Sequence, residues 1–166
     1  MQVQLAPLFC RPWTLNGISP RLIESHYENN YGAALRRLNA LTADLEGLDL
    51  ARTPAATAVR LKREQMEMLN AVLLHEVYFA SLGGDGRSPT EDMAAALAGD
   101  FGSVDRWRRE FITLAEGLAD GTGWVLLTYV PRAGRLINQT AADHEAGLTG
   151  GIPILALDMY EHAYYL

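Results

Sequence analysis

Near the end of the chain, in Asp158-Met-Tyr-Glu-His162-Ala-Tyr-Tyr-Leu166, a carboxylate and an imidazole stand four positions apart where an apolar run stops. Such a pair can share one metal ion. The sequence has four histidines, and two of the others, His26 and His75, lie on the apolar stripes of predicted helices. Three imidazoles and one carboxylate make a complete donor set for a redox-active transition metal. Each donor also has an ordinary reading. An inward histidine is most often a core residue satisfied by a hydrogen bond, and Asp158 with Glu161 three residues on matches a helix capping box. Burying all four costs several kcal/mol unless they are paired or coordinated, and a metal is the partner that satisfies them together.

The elements that must position these residues can be read in order. Ser19-Pro20 supplies a cap followed by proline in a first turn, and a helical pattern runs on to Gly47, with His26 beside its inward face. A looser stretch, Leu48 to Thr57, reverses the chain. A second helix is predicted from Val59 to Leu82, with Met68, Ala71, Val72, His75, Phe79 and Leu82 on one stripe. The two helices form an antiparallel hairpin with one inward histidine each. Gly83 to Pro89 has turn chemistry and is the predicted boundary between an N-terminal hairpin domain, 1–84, and a C-terminal α/β domain, 85–166. Helices are predicted over Thr90–Ala98 and Ser103–Leu118. Three β-prone runs follow, Trp124–Val130, Arg135–Thr140 and Ile152–Leu157, the first two joined by the turn Pro131-Arg-Ala-Gly134. The fold class is therefore α+β, with a small three-stranded antiparallel sheet.

At 166 residues and 49% hydrophobic content the chain fits one compact unit or two small layers sharing a core. A net charge of −6 argues against nucleic-acid binding. The basic clusters Arg60-Leu-Lys62-Arg63 and Arg106-Trp-Arg108-Arg109 sit among acids and read mainly as solvated helix faces, with guidance of a small anion as the lesser reading. A lone Cys10 excludes an internal disulfide framework and points to a reducing, cytoplasmic setting. The N-terminus lacks the pattern of a signal peptide, and no apolar stretch approaches the ~20 residues of a membrane span.

The string Asp158-x-Tyr160-Glu161-His162-Ala163-Tyr164-Tyr165 resembles the signature of the iron/manganese superoxide dismutases, which usually have tryptophan where Tyr160 stands. The resemblance extends to His26, Leu74-His75-x-x-Tyr78, Phe101-Gly-Ser-x-x-x-Trp107 and Gly121-x-Gly-Trp124, in the family's order. It implies one iron or manganese ion per chain, held by His26, His75, Asp158 and His162, with superoxide as substrate and oxygen and hydrogen peroxide as products. Zinc would bind such donors without cycling. The family's hydrogen bond to metal-bound solvent comes from a glutamine on the second helix or on a later loop. The helix position here is Ala71, and the resemblance assigns the role to His144 in Ala141-Ala-Asp-His-Glu145, with Gln139 as alternative. Trp124 matches an aromatic wall of the metal pocket; Tyr78, Phe79 and Tyr160 match further aromatic positions. Glu161 and Tyr165 match contacts across a homodimer.

The sequence also departs from the family. A histidine four residues after the first ligand and a tyrosine eight after it usually form a gateway for protons; Asn30 and Ala34 stand there, and Tyr27 or Tyr31 are expected to substitute. Family chains usually continue past the final Tyr-Tyr with further helix. A non-catalytic member of the same fold, serving as an interaction module with a structural metal or none, is the competing expectation.

Overall fold

The computed structural model describes residues 2–84, 89–144, 147 and 149–165; part of the expected 83–89 boundary lies outside them. Ser19 caps α1, Pro20–Ser25, by accepting the Leu22 N–H at 3.1 Å, with Pro20 in the first turn. The chain then runs through a π-helical turn, His26–Tyr31, into α2, Gly32–Glu46. The single predicted helix is thus three joined segments, and the wide turn starts at the first of the candidate metal-binding histidines. The long α3, Ala55–Ala80, begins four residues before its predicted start. Pro54 directly precedes it and its carbonyl accepts the Thr57 N–H at 2.9 Å; the Ala-Ala-Thr-Ala opening carries no apolar period to read.

Helices α4, Glu91–Phe101, and α5, Val104–Glu116, are capped by Thr90 and Ser103 respectively. Between them Gly102 takes a left-handed conformation, φ 88°, which ends α4 three residues later than predicted. The strands β1, Trp124–Val130, β2, Arg135–Ala141, and β3, Ile152–Asp158, match their predicted ranges within one residue. They form one antiparallel sheet in the order β2-β1-β3.

Alternation along β1 separates two layers of core. Trp124 and Leu126 face the helical hairpin and pack with Leu22, Ile23, Leu35, Leu38, Val72 and Phe79. Val125 and Leu127 face the other way, onto Leu97, Phe111 and Leu136. The sheet is therefore covered by the α2–α3 hairpin on one side and by α4 and α5 on the other. The β1–β3 register sets Trp124 opposite Asp158, the last residue of its strand. That pairing brings a sheet-end carboxylate beneath the hairpin histidines.

Candidate metal centre

Four elements supply the centre. His26 opens the π-helical turn, His75 lies in the last third of α3, Asp158 ends β3, and His162 sits on the short 3-10 turn Glu161–Ala163. Gly123, immediately before Trp124, makes the approach of β2 and β3 possible. It has φ 104°, and a Cβ there would lie 2.6 Å from the Ala141 carbonyl. Its own carbonyl accepts the Met159 N–H at 3.0 Å, which ties down the residue after Asp158. This gives the second glycine of the Gly121-x-Gly-Trp124 motif a mechanical reason.

One donor atom from each of His26, His75, Asp158 and His162 falls within 4.8 Å of the others. Asp158 Oδ2 is 3.1 Å from His26 Nε2, 3.3 Å from His162 Nε2 and 3.9 Å from His75 Nε2. None of these contacts is aligned as a hydrogen bond. Those four atoms are buried without a hydrogen-bond partner, as is His26 Nδ1. Orphaned buried polar atoms are uncommon in folded proteins, and here four of them converge.

Protonation can be assigned for two members. His75 Nδ1 lies 2.6 Å from the Ala71 carbonyl, which can only accept, so Nδ1 carries the proton and Nε2 turns a lone pair inward. Burial pushes the His75 imidazole down to about 4, so the ring is neutral at physiological pH. Burial alone would raise the Asp158 carboxyl; the His162 and His26 imidazoles beside it and the Tyr160 N–H, which donates to Oδ1 at 2.8 Å, outweigh this and hold it at about 2. A neutral imidazole lone pair facing a carboxylate across 3.9 Å is repulsive unless a cation lies between them. The donors fit a transition metal of the iron or manganese type.

Around the donors the Trp124 indole N–H donates to His144 Nδ1 at 3.1 Å. The Tyr160 ring stacks on His144, centroids 5.5 Å apart and planes 24° apart, and on His162 at 5.5 Å and 8°. A cavity of about 350 Å³ reaches the centre from solvent, lined by Asn29, Asn30, Ala33, Ala34, Arg37, Met68, Ala71, His75, His144 and His162. His144 therefore borders this mouth. Gln139 lines a different cavity and donates its amide to Thr128 Oγ1 at 2.7 Å.

Residues 89–166 match the family described as iron/manganese superoxide dismutases, C-terminal domain. The whole chain is 54% identical over 166 residues to "Superoxide dismutase [Fe]" of Cupriavidus metallidurans, covering 84% of that protein. The chain belongs to the iron/manganese superoxide dismutase family. It is also 33% identical over 151 residues, 90% of this chain and 72% of the relative, to "Superoxide dismutase [Mn]" of Mycobacterium intracellulare. A protein of the same name from Mycolicibacterium smegmatis is 32% identical over 151 residues.

Within this superoxide dismutase fold, the positions of the family's usual gateway pair, Asn30 and Ala34, do line the mouth. Tyr27 and Tyr31, expected to substitute for them, do not line it. The Tyr27 hydroxyl donates to the Ala6 carbonyl at 2.6 Å and the Tyr31 hydroxyl donates to Glu76 Oε1 at 2.9 Å. Sequence reasoning missed Arg37 on the mouth. Its signal was available: Asn30, Ala34 and Arg37 follow His26 at steps of four, four and three. Glu161 and Tyr165 are exposed, and among the described residues no helix is long and apolar enough to cross a membrane.

Proposed function

We propose that this chain is a superoxide dismutase that holds one iron or manganese ion between His26, His75, Asp158 and His162. The observation that carries this reading is the convergence of four buried, otherwise unsatisfied donor atoms within 4.8 Å of one another. When bound, the ion supplies one-electron exchange: one superoxide is oxidised to oxygen, and a second, taking that electron and two protons, leaves as hydrogen peroxide.

The chain's own residues bind and orient. Asp158 provides the single negative charge, and His75 is turned by the Ala71 carbonyl so that its free nitrogen points inward. His144 takes the role of the family's glutamine. Its Nδ1 accepts from Trp124, so in the neutral ring Nε2 carries the hydrogen and offers a donor to the anion in the mouth. Burial lowers its pKa and favours that neutral form. Trp124 and Tyr160 wall the pocket and keep the imidazoles from turning. The open mouth at Asn30 and Ala34 admits water directly, so protons enter from solvent rather than through a tyrosine-histidine pair.

The chain pairs as a homodimer through the face bearing Glu161 and Tyr165, both exposed in the single chain, and works in the cytoplasm, in keeping with its lone, buried Cys10. The deciding experiment measures metal content of the purified protein together with superoxide decay after a pulse of radical generation. Near-stoichiometric iron or manganese with fast decay is expected. Metal without accelerated decay would instead favour the non-catalytic, structural reading.

A further inference from the structure

We infer that the N-terminal segment from Val3 to Ala6 is a clasp that positions His75 through the side chain of Tyr31. The inference rests on the proposed metal site, and the residues that do the positioning, Val3 to Ala6 and Tyr31, belong neither to the donor set nor to the lining of the mouth.

The segment 2–9 belongs to no helix or strand, so its backbone polar groups need other partners. Three side chains of the hairpin supply them. Asn39 binds Val3 at two points, Oδ1 accepting the Val3 N–H at 2.9 Å and Nδ2 donating to its carbonyl at 2.8 Å. Tyr31 Oη accepts the Ala6 N–H at 2.8 Å, and the Tyr27 hydroxyl donates to the Ala6 carbonyl at 2.6 Å. The chain is thus gripped at Val3 and at Ala6, and each grip uses both the N–H and the carbonyl of that residue.

The grip at Ala6 leads to the centre. Having accepted from Ala6, the Tyr31 hydroxyl donates to Glu76, the neighbour of His75 on α3. The Tyr31 ring lies nearly parallel to the His75 ring, 6.0 Å between centroids and 22° between planes, and both pack on Phe79. Tyr31 is almost wholly buried, and its hydroxyl stands between the Ala6 N–H that it accepts and the Glu76 carboxylate to which it donates. His75 is held along its edge by the Ala71 carbonyl; Tyr31 restrains its ring against tilting. Loss of the clasp frees one end of the Tyr31 hydroxyl and loosens the ring that backs His75.

The test compares Tyr31→Phe, which keeps the ring and removes the hydroxyl, with deletion of residues 2–6 and with the two combined. Release of bound iron or manganese to a chelator, well below the unfolding temperature, is expected to be about ten-fold faster in each variant, with no further gain in the combination. In metal-free protein the His75 ring-proton resonance is expected to broaden or split in the same variants. Unchanged release with a sharp His75 resonance overturns the clasp, as does an additive effect in the combination. Should the deletion fail to fold, Asn39→Ala, which frees only the Val3 end, is expected to give a smaller change in the same direction, and no change would count against the inference. If the unmodified protein takes up no metal, the metal reading fails while the metal-free resonance still decides the clasp.

Discussion

The indole N–H of Trp124 donates to His144 Nδ1 at 3.1 Å, joining the first residue of the central strand to an imidazole on the metal-site mouth. The bond fixes which nitrogen of His144 is free to donate. Trp124→Phe removes the donor, retains an aromatic wall and lets the imidazole turn. Metal content is expected to remain near that of the parent, while superoxide turnover falls by about ten-fold or more. Elemental analysis and decay kinetics on one preparation separate the two effects; equal loss of metal and activity would contradict the assignment.

Removing one donor has a different signature. His75→Ala leaves Asp158 buried with fewer partners and is expected to abolish both metal and activity. His144→Ala, which removes no donor of the convergent set, is expected to keep much of the metal and to shift its reduction potential. Metal analysis and potentiometric titration distinguish them. Equal loss of metal in both variants would erase the distinction between holding the ion and tuning it.

Metal binding is also expected to stabilise the fold. A ligand that binds only the native state stabilises it by an amount that grows with the logarithm of its free concentration relative to its Kd. Chelation is therefore expected to lower the melting temperature of the parent protein and to leave that of His75→Ala unchanged. Calorimetry with and without chelator measures the difference.

Much of this arrangement was legible in the sequence. The inward histidines fell on stripes of helical spacing, and the three strands announced themselves by β-branched and aromatic runs between turns. The π-helical turn at His26–Tyr31 left no such trace. Its residues show ordinary helical character, and the wider turn comes from a shifted bonding pattern that apolar spacing does not encode. That turn carries Tyr27 and Tyr31, whose hydroxyls meet Ala6 and Glu76 rather than the mouth. The Trp124–His144 bond was equally unreadable, because it depends on the path of the chain after β2. The resemblance named both residues, but only the fold joined them.

Asp100 offers a pH test remote from the metal. It accepts the Leu136 N–H at 2.7 Å and the Arg135 Nε–H at 3.0 Å, joining the end of α4 to the start of β2. The Leu136 N–H and then the Arg135 guanidinium hold its carboxyl below the usual carboxylate range. A depressed carboxyl stabilises the native state at pH values above its unfolded pKa, and that contribution disappears as pH falls through the folded value. Asp100→Ala is expected to melt below the parent at pH 7, with the gap closing in strong acid. Thermal melts across this range check the trend, and a gap independent of pH would mean that the contacts of Asp100 do not depend on its charge.

Arg37 stands on the mouth, half-exposed and paired with Glu64. For a small anionic substrate a cation at this rim raises the local concentration, and ionic strength screens the effect. The acid beside it cancels part of that field. Arg37→Glu is therefore expected to slow superoxide decay several-fold at low salt, with the deficit shrinking as salt is added. Glu64→Gln frees the guanidinium and is expected to act in the opposite direction under the same conditions. Catalysed decay measured against ionic strength for the three proteins provides the check. Parallel salt dependences would show that the anion reaches the centre without guidance from Arg37, and the open passage at Asn30 and Ala34 would then set the encounter rate by its width alone.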